Sequence, residues 1–331
     1  MKEDAIELIH GEGGKYTEKL IKEIFYASFK NDILLKNADS ALINLSSKEI
    51  AMTTDSFVVN PIFFRGGDIG KLAVCGTVND LIACGAEPLY LSAAFIIEEG
   101  FFLKDLVTIV NSMKKVCEFA KVSIVTGDTK VVPKGKGDKI FINTTGIGVV
   151  DGYKSKNIEC NDKIIITGTI AEHGTAIALD RYNLKVKGDI ASDCAHLNYL
   201  LRYIKNYCNH IKFMRDPTRG GVAQVLNEIS KESGLGIHLL QNKIPIRQEV
   251  EAINDMLGIN PLYLACEGRM IIVADEYACN HIVEDLKNRC NCEASIIGEF
   301  TNESKFVYIE NDFGGKSILG ELDTQILPRI C

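Results

Sequence analysis

The sequence predicts an α+β protein of two domains. Helical and strand-like segments follow one another without strict alternation, which favours an α+β arrangement over a doubly wound sheet. At 331 residues the chain has room for two cores. A polar, turn-rich stretch, Asp151-Gly152-Tyr153-Lys154-Ser155-Lys156-Asn157, interrupts the pattern near its middle. The expected division is 1–152, 153–321 and a tail over 322–331.

Each element has a local reason. Leu20, Ile21, Ile24, Phe25 and Phe29 recur at helical spacing over 15–30. Strand-like runs follow at 41–45, 50–54, 89–97, 122–126 and 139–150, with helical patterns at 70–84 and 103–121. Beyond the break, 163–167 reads as a strand. Helical patterns recur at 172–182, 192–207, 219–233 and 276–289, with strands at 235–240, 269–274, 293–299 and 305–309. Gly314-Gly315 and Gly320 loosen the chain before the tail, and Pro328 denies it helix. Fully extended, such a tail reaches at most ~33–36 Å, enough to swing a terminal side chain from solvent into a cleft.

Composition excludes several classes. Net charge is −7 and no Lys/Arg run appears, so nucleic acid is not an expected partner. The longest apolar runs, such as 89–97, fall far short of the ~20 residues of a membrane helix. The opening residues lack a basic start and an apolar block, so a cytoplasmic protein is expected. The eleven cysteines form no C-x-x-C pair and read as reduced, mostly buried thiols. Cys331 stands apart as the last residue. Prenylation does not account for it, because that signal places the cysteine fourth from the end.

Glycines and acids carry the chemistry. His10-Gly11-Glu12-Gly13-Gly14 and Gly66-Gly67-Asp68-Ile69-Gly70 offer backbone amides to an anion, although a linker and a helix-capping turn explain them equally well. Neither matches a P-loop or a dinucleotide fingerprint. Asp55, Asp80, Asp128 and Asp216 each sit beside small or polar residues next to apolar runs. Read singly, Asp55 and Asp128 fit turns, Asp80 a solvated helix and Asp216 an N-cap. Read together, they fit a hard cation such as Mg²⁺ shared with nucleotide phosphates.

The segments Thr53-Thr54-Asp55-Ser56, Gly66-Gly67-Asp68-Ile69-Gly70-Lys71-Leu72, Gly76-Thr77-Val78-Asn79-Asp80, Gly127-Asp128-Thr129-Lys130-Val131-Val132, Asp216-Pro217-Thr218-Arg219-Gly220-Gly221 and Ala265-Cys266-Glu267-Gly268 resemble one family in order and spacing. The terminal Pro328-Arg329-Ile330-Cys331 is the most specific of them. They resemble the carbamoyl dehydratases of nickel–iron hydrogenase maturation, the HypE family. That family is a branch of the PurM-like, aminoimidazole ribonucleotide synthetase superfamily, and the likeness runs end to end. One departure is Phe64-Arg65-Gly66-Gly67, where the family usually reads Phe-Pro-Gly-Gly.

The resemblance implies an N-terminal domain that forms a dimeric β-barrel, a C-terminal α/β sandwich, and a flexible tail bearing the substrate on Cys331. It implies ATP and Mg²⁺ as cofactors, with Asp55, Asp80, Asp128 and Asp216 as metal ligands. The implied nucleotide contacts are His10, Gly11, Gly13, Gly14, Asp55, Gly67, Asp68, Asn79, Asp80, Asp128, Thr129, Asp216, Thr218 and Arg219. Glu267 corresponds to the base and Lys130 to the residue that neutralises the transferred phosphoryl group; salt-bridging or solvated roles are the alternatives. HypF is the implied carbamoyl donor and the HypC–HypD complex the cyanide acceptor. The implied reaction is ATP-dependent dehydration of a thiocarbamate on Cys331 to a thiocyanate, a cyanide source for the hydrogenase iron. Alternatives are another PurM-like synthetase, forming selenophosphate or aminoimidazole ribonucleotide, or a non-catalytic nucleotide-binding scaffold. The remaining histidines, at 173, 196, 210, 238 and 281, are dispersed and receive no role.

Overall fold

In a computed structural model, two main sheets organise the chain, one from each side of the turn-rich break. The structure describes residues 5–12, 15–36, 40–45, 49–150, 152–153, 155–290, 292–322, 326–327 and 329–331, excepting the side chain of Ile204. Gly13 and Gly14 lie outside the described residues.

Near the start, α1 (Lys15–Leu20) and α2 (Ala27–Phe29) flank a π-helical turn over Ile21–Tyr26. Leu20, Ile24, Phe25 and Phe29 are buried, the stripe the spacing predicts. Residues 41–45 form no strand, contrary to the sequence reading. Their alternation finds no ladder partner among the described residues, and Leu42 is exposed.

The first sheet is built from β1 (Ile50–Phe57), β4 (Ala86–Glu98), β5 (Ser123–Val132) and β6 (Ile140–Val150), in the order β1-β6-β4-β5. A small hairpin, β2 (Phe63–Phe64) and β3 (Gly67–Asp68), precedes α3 (Ile69–Ala83). Strands β4 and β5 run parallel, so the chain must cross back between them, and α4 (Leu103–Ala120) does so. Side chains alternate along β4: Leu91, Ala93, Phe95 and Ile97 are buried. The opposite face leaves Ile50, Met52 and Ile96 exposed at 48%, 69% and 46%.

Helix α3 is buried on nearly every side, between that sheet, α4 and the second half of the chain. Small residues permit this. A Cβ on Gly70 would stand 2.5 Å from the Ile109 carbonyl of α4. Asp68 caps the helix: its Oδ1 accepts from Gly70 N at 2.8 Å, Lys71 N at 3.1 Å and the Ser112 hydroxyl at 2.6 Å.

The second sheet has the order β13-β12-β9-β11-β7-β10-β8. In chain order its elements are β7 (Lys163–Ile166), α5 (Glu172–Arg181), α6 (Asn198–Tyr207), β8 (Ile211–Arg215), α7 (Gly221–Ser233), β9 (Gly236–Leu240) and α8 (Gln248–Leu257). Then follow β10 (Ile271–Ala274), α9 (Cys279–Cys290), β11 (Ser295–Thr301), β12 (Val307–Glu310) and β13 (Lys316–Ile318). Consecutive residues of β7 and β10 are buried, so both faces of this sheet are covered. Sequence reading misses β8, α8 and β13, and it starts α6 too early, at 192.

Arg65 explains how the family's usual proline is replaced. Its backbone N–H and its Nε both donate to the Asp180 carboxylate of α5, each at 2.7 Å, clamping the β2–β3 turn onto that helix. A proline offers neither donor. Arg65→Pro is therefore expected to destabilise the fold by about 1.5–3 kcal/mol, the range for hydrogen bonds to a charged group, although it restores the family residue. Urea unfolding measures this. Unchanged or increased stability would contradict the clamp.

Candidate active site

A cleft of about 640 Å³ joins the two halves of the chain, and seven of the chemistry-bearing residues meet there. Asp55 comes from β1, Asp80 from α3, Asp216, Thr218 and Arg219 from the turn between β8 and α7, and Glu267 from the loop before β10. Cys331 completes the lining.

The local folding follows from the sequence. Asp55 shares the helix-covered face of β1 with Thr53, whose hydroxyl donates to Asp80 Oδ2 at 2.7 Å. Gly76 lets α3 approach β1: its Cβ would meet the Phe57 ring at 2.9 Å, with Asp55 Oδ2 at 3.8 Å. Gly220 and Gly221 both take positive φ, at 75° and 58°, where L side chains are strained. This turn leads Asp216 out of β8 and into α7.

The electrostatics are one-sided. Burial, then the charge of Asp80, pushes Asp55 up to about 6, with Arg219 opposing. Burial and Asp80 push Asp216 to about 8. Glu267 is 2% exposed, and burial raises it well above the carboxylate range. Its buried Oε1 has no hydrogen-bond partner among the described residues. Burial also lifts the Cys331 thiol to about 12, with Glu267 the next contributor and Arg219 again opposing.

The terminus is docked. Val58 N donates to a terminal oxygen of Cys331 and Asn60 N to the Arg329 carbonyl, both at 3.1 Å. Arg181 Nη2 donates to the Arg329 carbonyl at 2.9 Å, and Arg329 Nε to the Val58 carbonyl at 2.8 Å. Arg329 also pairs with Asp138. His173 Nε2 lies 2.7 Å from the Ile330 carbonyl. Leu327 and Ile330 are buried.

Other sequence-selected residues lie elsewhere. Asp128, Thr129, Lys130 and Gly11 line a separate cavity of about 480 Å³ under the N-terminal helices. Asp55 aligns with Thr144, Thr144 with Ala93, and Ala93 with Gly127, so β1 and β5 are opposite edges of the sheet. Three strand spacings separate those edges, about 14 Å. Asp128 pairs with Ala94 and therefore faces the uncovered side. Within one chain it cannot share an ion with Asp55, which corrects the four-aspartate cluster. Lys130 is likewise remote from Glu267, and its Nζ donates to Asp128 at 2.7 Å.

Three further residues expected at the nucleotide are committed to the protein. Asp68 caps α3. Asn79, 1% exposed, donates to the carbonyls of Ala195 at 3.0 Å and Glu267 at 3.3 Å, and accepts from Leu197 N at 2.9 Å. It holds the Glu267 loop. His10 is buried, with Nδ1 accepting from Glu7 N at 3.0 Å. Gly67 packs against Phe64. His173 and Arg181, given no role from sequence, prove to hold the tail; only the tail's return reveals them.

Among the described residues, no three His, Cys, Asp or Glu side chains form a self-sufficient metal site. The donor set still fits Mg²⁺, which binds through one or two carboxylates and otherwise water and phosphate oxygens.

Residues 37–150 match AIR synthase related protein, N-terminal domain, and 160–310 match its C-terminal domain. The chain is 43% identical over its full length to carbamoyl dehydratase HypE of Bradyrhizobium diazoefficiens, covering 97% of that protein. A crystal structure of hydrogenase maturation protein HypE in complex with ATP superposes with a TM-score of 0.91 at 40% identity, covering 98% of this chain and 99% of that one. HypE from a HypE–HypF complex is 46% identical with a TM-score of 0.80, covering 92% and 99%. No helix among the described residues is long and apolar enough to cross a membrane.

Asp216, at about 8, lies above its ordinary 3.8, so the folded chain keeps a proton that the unfolded chain releases. Stability conferred below pH 4 is lost as pH rises towards about 8. Asp216→Asn removes this loss. Its melting temperature should match the wild type near pH 4 and exceed it increasingly towards about pH 8. A constant difference across that window would rule the argument out.

Proposed function

The chain belongs to the HypE family of carbamoyl dehydratases, within the AIR synthase related proteins, and on that premise we propose that Cys331 carries the carbamoyl group that is dehydrated. It is an ATP-dependent dehydratase of hydrogenase maturation. The observation that best supports the assignment to Cys331 is its lodging in one cleft with Glu267, whose buried Oε1 has no partner among the described residues.

The thiocarbamate oxygen is a poor leaving group as oxide or hydroxide. ATP supplies a γ-phosphoryl group with which that oxygen departs as phosphate, and both nitrogen protons are lost, leaving S–C≡N. Glu267 is the acceptor for an amide proton: burial raises its basicity, and its free oxygen has room for the N–H. Asp55, Asp80 and Asp216 would hold Mg²⁺, which neutralises the triphosphate and the departing phosphate. Thr218 and Arg219 line the same cleft and contact phosphate oxygens in this reading. Asn79 keeps Glu267 in register through its backbone carbonyl.

The tail is mobile in this reading. A thiol pushed to about 12 is a weak nucleophile where it is docked, so Cys331 is loaded away from the cleft. HypF, seen with a HypE in a solved complex, is the donor, and HypC–HypD receives the cyanide. We divide the chain at 1–152, 153–321 and 322–331 and place it in the cytoplasm. No strand of the first sheet pairs with the second among the described residues.

A homodimer follows from the uncovered sheet face bearing Ile50, Met52 and Ile96, which two copies would bury in a barrel. Asp128 and Lys130 lie on that same side. Their neighbourhood, with Gly11 and Thr129, serves the nucleotide only across the pair.

Cys331→Ala is expected to take up no carbamoyl group yet still bind ATP, whereas Glu267→Gln should load normally and dehydrate at least ~100-fold more slowly. Intact mass distinguishes the adducts by one water. A carbamoyl adduct on Cys331→Ala would move the substrate to another cysteine. Mixing inactive Lys130→Ala with inactive Glu267→Gln should restore partial turnover if each site draws on two chains; no recovery would confine each site to one.

A further inference from the structure

We propose that His173 is a positioning residue that aims Cys331 by holding the Ile330 carbonyl. The inference rests on the reading that Cys331 bears the substrate. His173 lies near the start of α5, fully buried, with the edge of the Phe64 ring against it at a centroid distance of 5.4 Å. Its two nitrogens have different partners: Nε2 meets the Ile330 carbonyl and Nδ1 the Ser192 hydroxyl, both at 2.7 Å.

These partners fix the proton. A carbonyl only accepts, so Nε2 carries the hydrogen. Burial lowers the basicity of the ring, which therefore stays neutral with a single N–H. Nδ1 must then accept from Ser192, whose oxygen in turn accepts from Cys194 N at 3.0 Å. Each donor in this chain points towards the tail, and each link selects the tautomer that holds it.

The consequence falls on one torsion. His173 sets the peptide plane entering Cys331, and Val58 N holds the terminal carboxylate leaving it. With both sides of the Cα pinned, χ1 is the main soft torsion directing Sγ, and it has three staggered wells. Among the described residues, the other bonds to residues 329–331 are made by backbone groups or involve Arg329. Among the described residues, His173 is the buried side chain bonded to the residue next to the substrate cysteine.

The test needs no partner protein for its first arm. Iodoacetamide labelling of the protein, read by mass spectrometry of the C-terminal peptide so that Cys331 is distinguished from exposed thiols such as Cys84 and Cys160, reports how often the terminus leaves. His173→Phe keeps the ring and loses both nitrogens; labelling should accelerate about tenfold, the size of one buried hydrogen bond. His173→Gln retains a donor and should recover most of the protection, and Ser192→Ala should lie between. The second arm is single-turnover dehydration of carbamoylated protein with ATP, which should slow about tenfold in His173→Phe and recover in His173→Gln. Wild-type labelling and dehydration in His173→Phe would overturn the proposal. If that variant does not fold, equal labelling of Ser192→Ala and wild type overturns it instead. Failure of the underlying reading is distinct: a carbamoyl adduct on Cys331→Ala would refute the substrate site, while the labelling arm would still report on the clamp.

Discussion

Carboxylates gathered in one desolvated cleft, with little positive charge to answer them, set the terms for the rest of the structure. Asp55, Asp80, Asp216 and Glu267 converge from four separate elements, and Arg219 is the basic group that opposes the shifts of both Asp55 and Cys331. Burying such groups is unfavourable, and burial together with the charge of Asp80 raises both Asp55 and Asp216 above the usual carboxylate range. The arrangement opposes stability alone and suits a site completed by its substrate, a pattern common where function and stability compete.

The surrounding fold keeps this cluster from relaxing apart. Helix α3 is packed on all sides, with Gly70 against α4 and Gly76 against β1, so Asp80 cannot retreat from Asp55 without opening the first core. On the far side, the buried carboxylate of Asp193 accepts the backbone N–H groups of Glu267 and Gly268 and is faced by Arg269. That network stiffens the loop carrying Glu267. Low mobility of this frame matters because positioning accounts for much of the barrier reduction in phosphoryl transfer.

Much of the fold was legible because its signals are local. The α4 stripe of Leu106, Ile109, Val110, Met113, Val116, Cys117 and Ala120 follows helical period, and its burial matches. Short strands such as β8 and β13 were not legible, since five and three residues carry little periodic information and depend on a partner already in place. Site chemistry divides in the same way. Asp55, Asp216 and Glu267 announce themselves by a charged residue set near threonine or glycine next to apolar runs. Asp68 and Asn79 carry the same signal for a structural reason, a helix cap and a loop staple. The remoteness of Asp128 was invisible in sequence because it follows from sheet order and pleat parity, neither of which is encoded near the residue.

Residues 192–197 show why a wrong local reading can mark a functional segment. Their pattern favours helix, yet each bond they make requires an irregular path. The Ser192 hydroxyl reaches His173, Asp193 reaches the Glu267–Gly268 backbone, Ala195 N donates to the Glu267 carbonyl, and Leu197 N donates to Asn79. A helix would direct these backbone groups into its own ladder and deprive buried Asn79 of its bonds to Ala195 and Leu197. Tertiary hydrogen bonds therefore override propensity, and the same six residues link Glu267, the acid-bearing helix and the docked terminus. Whatever disturbs the path of this segment disturbs all three together.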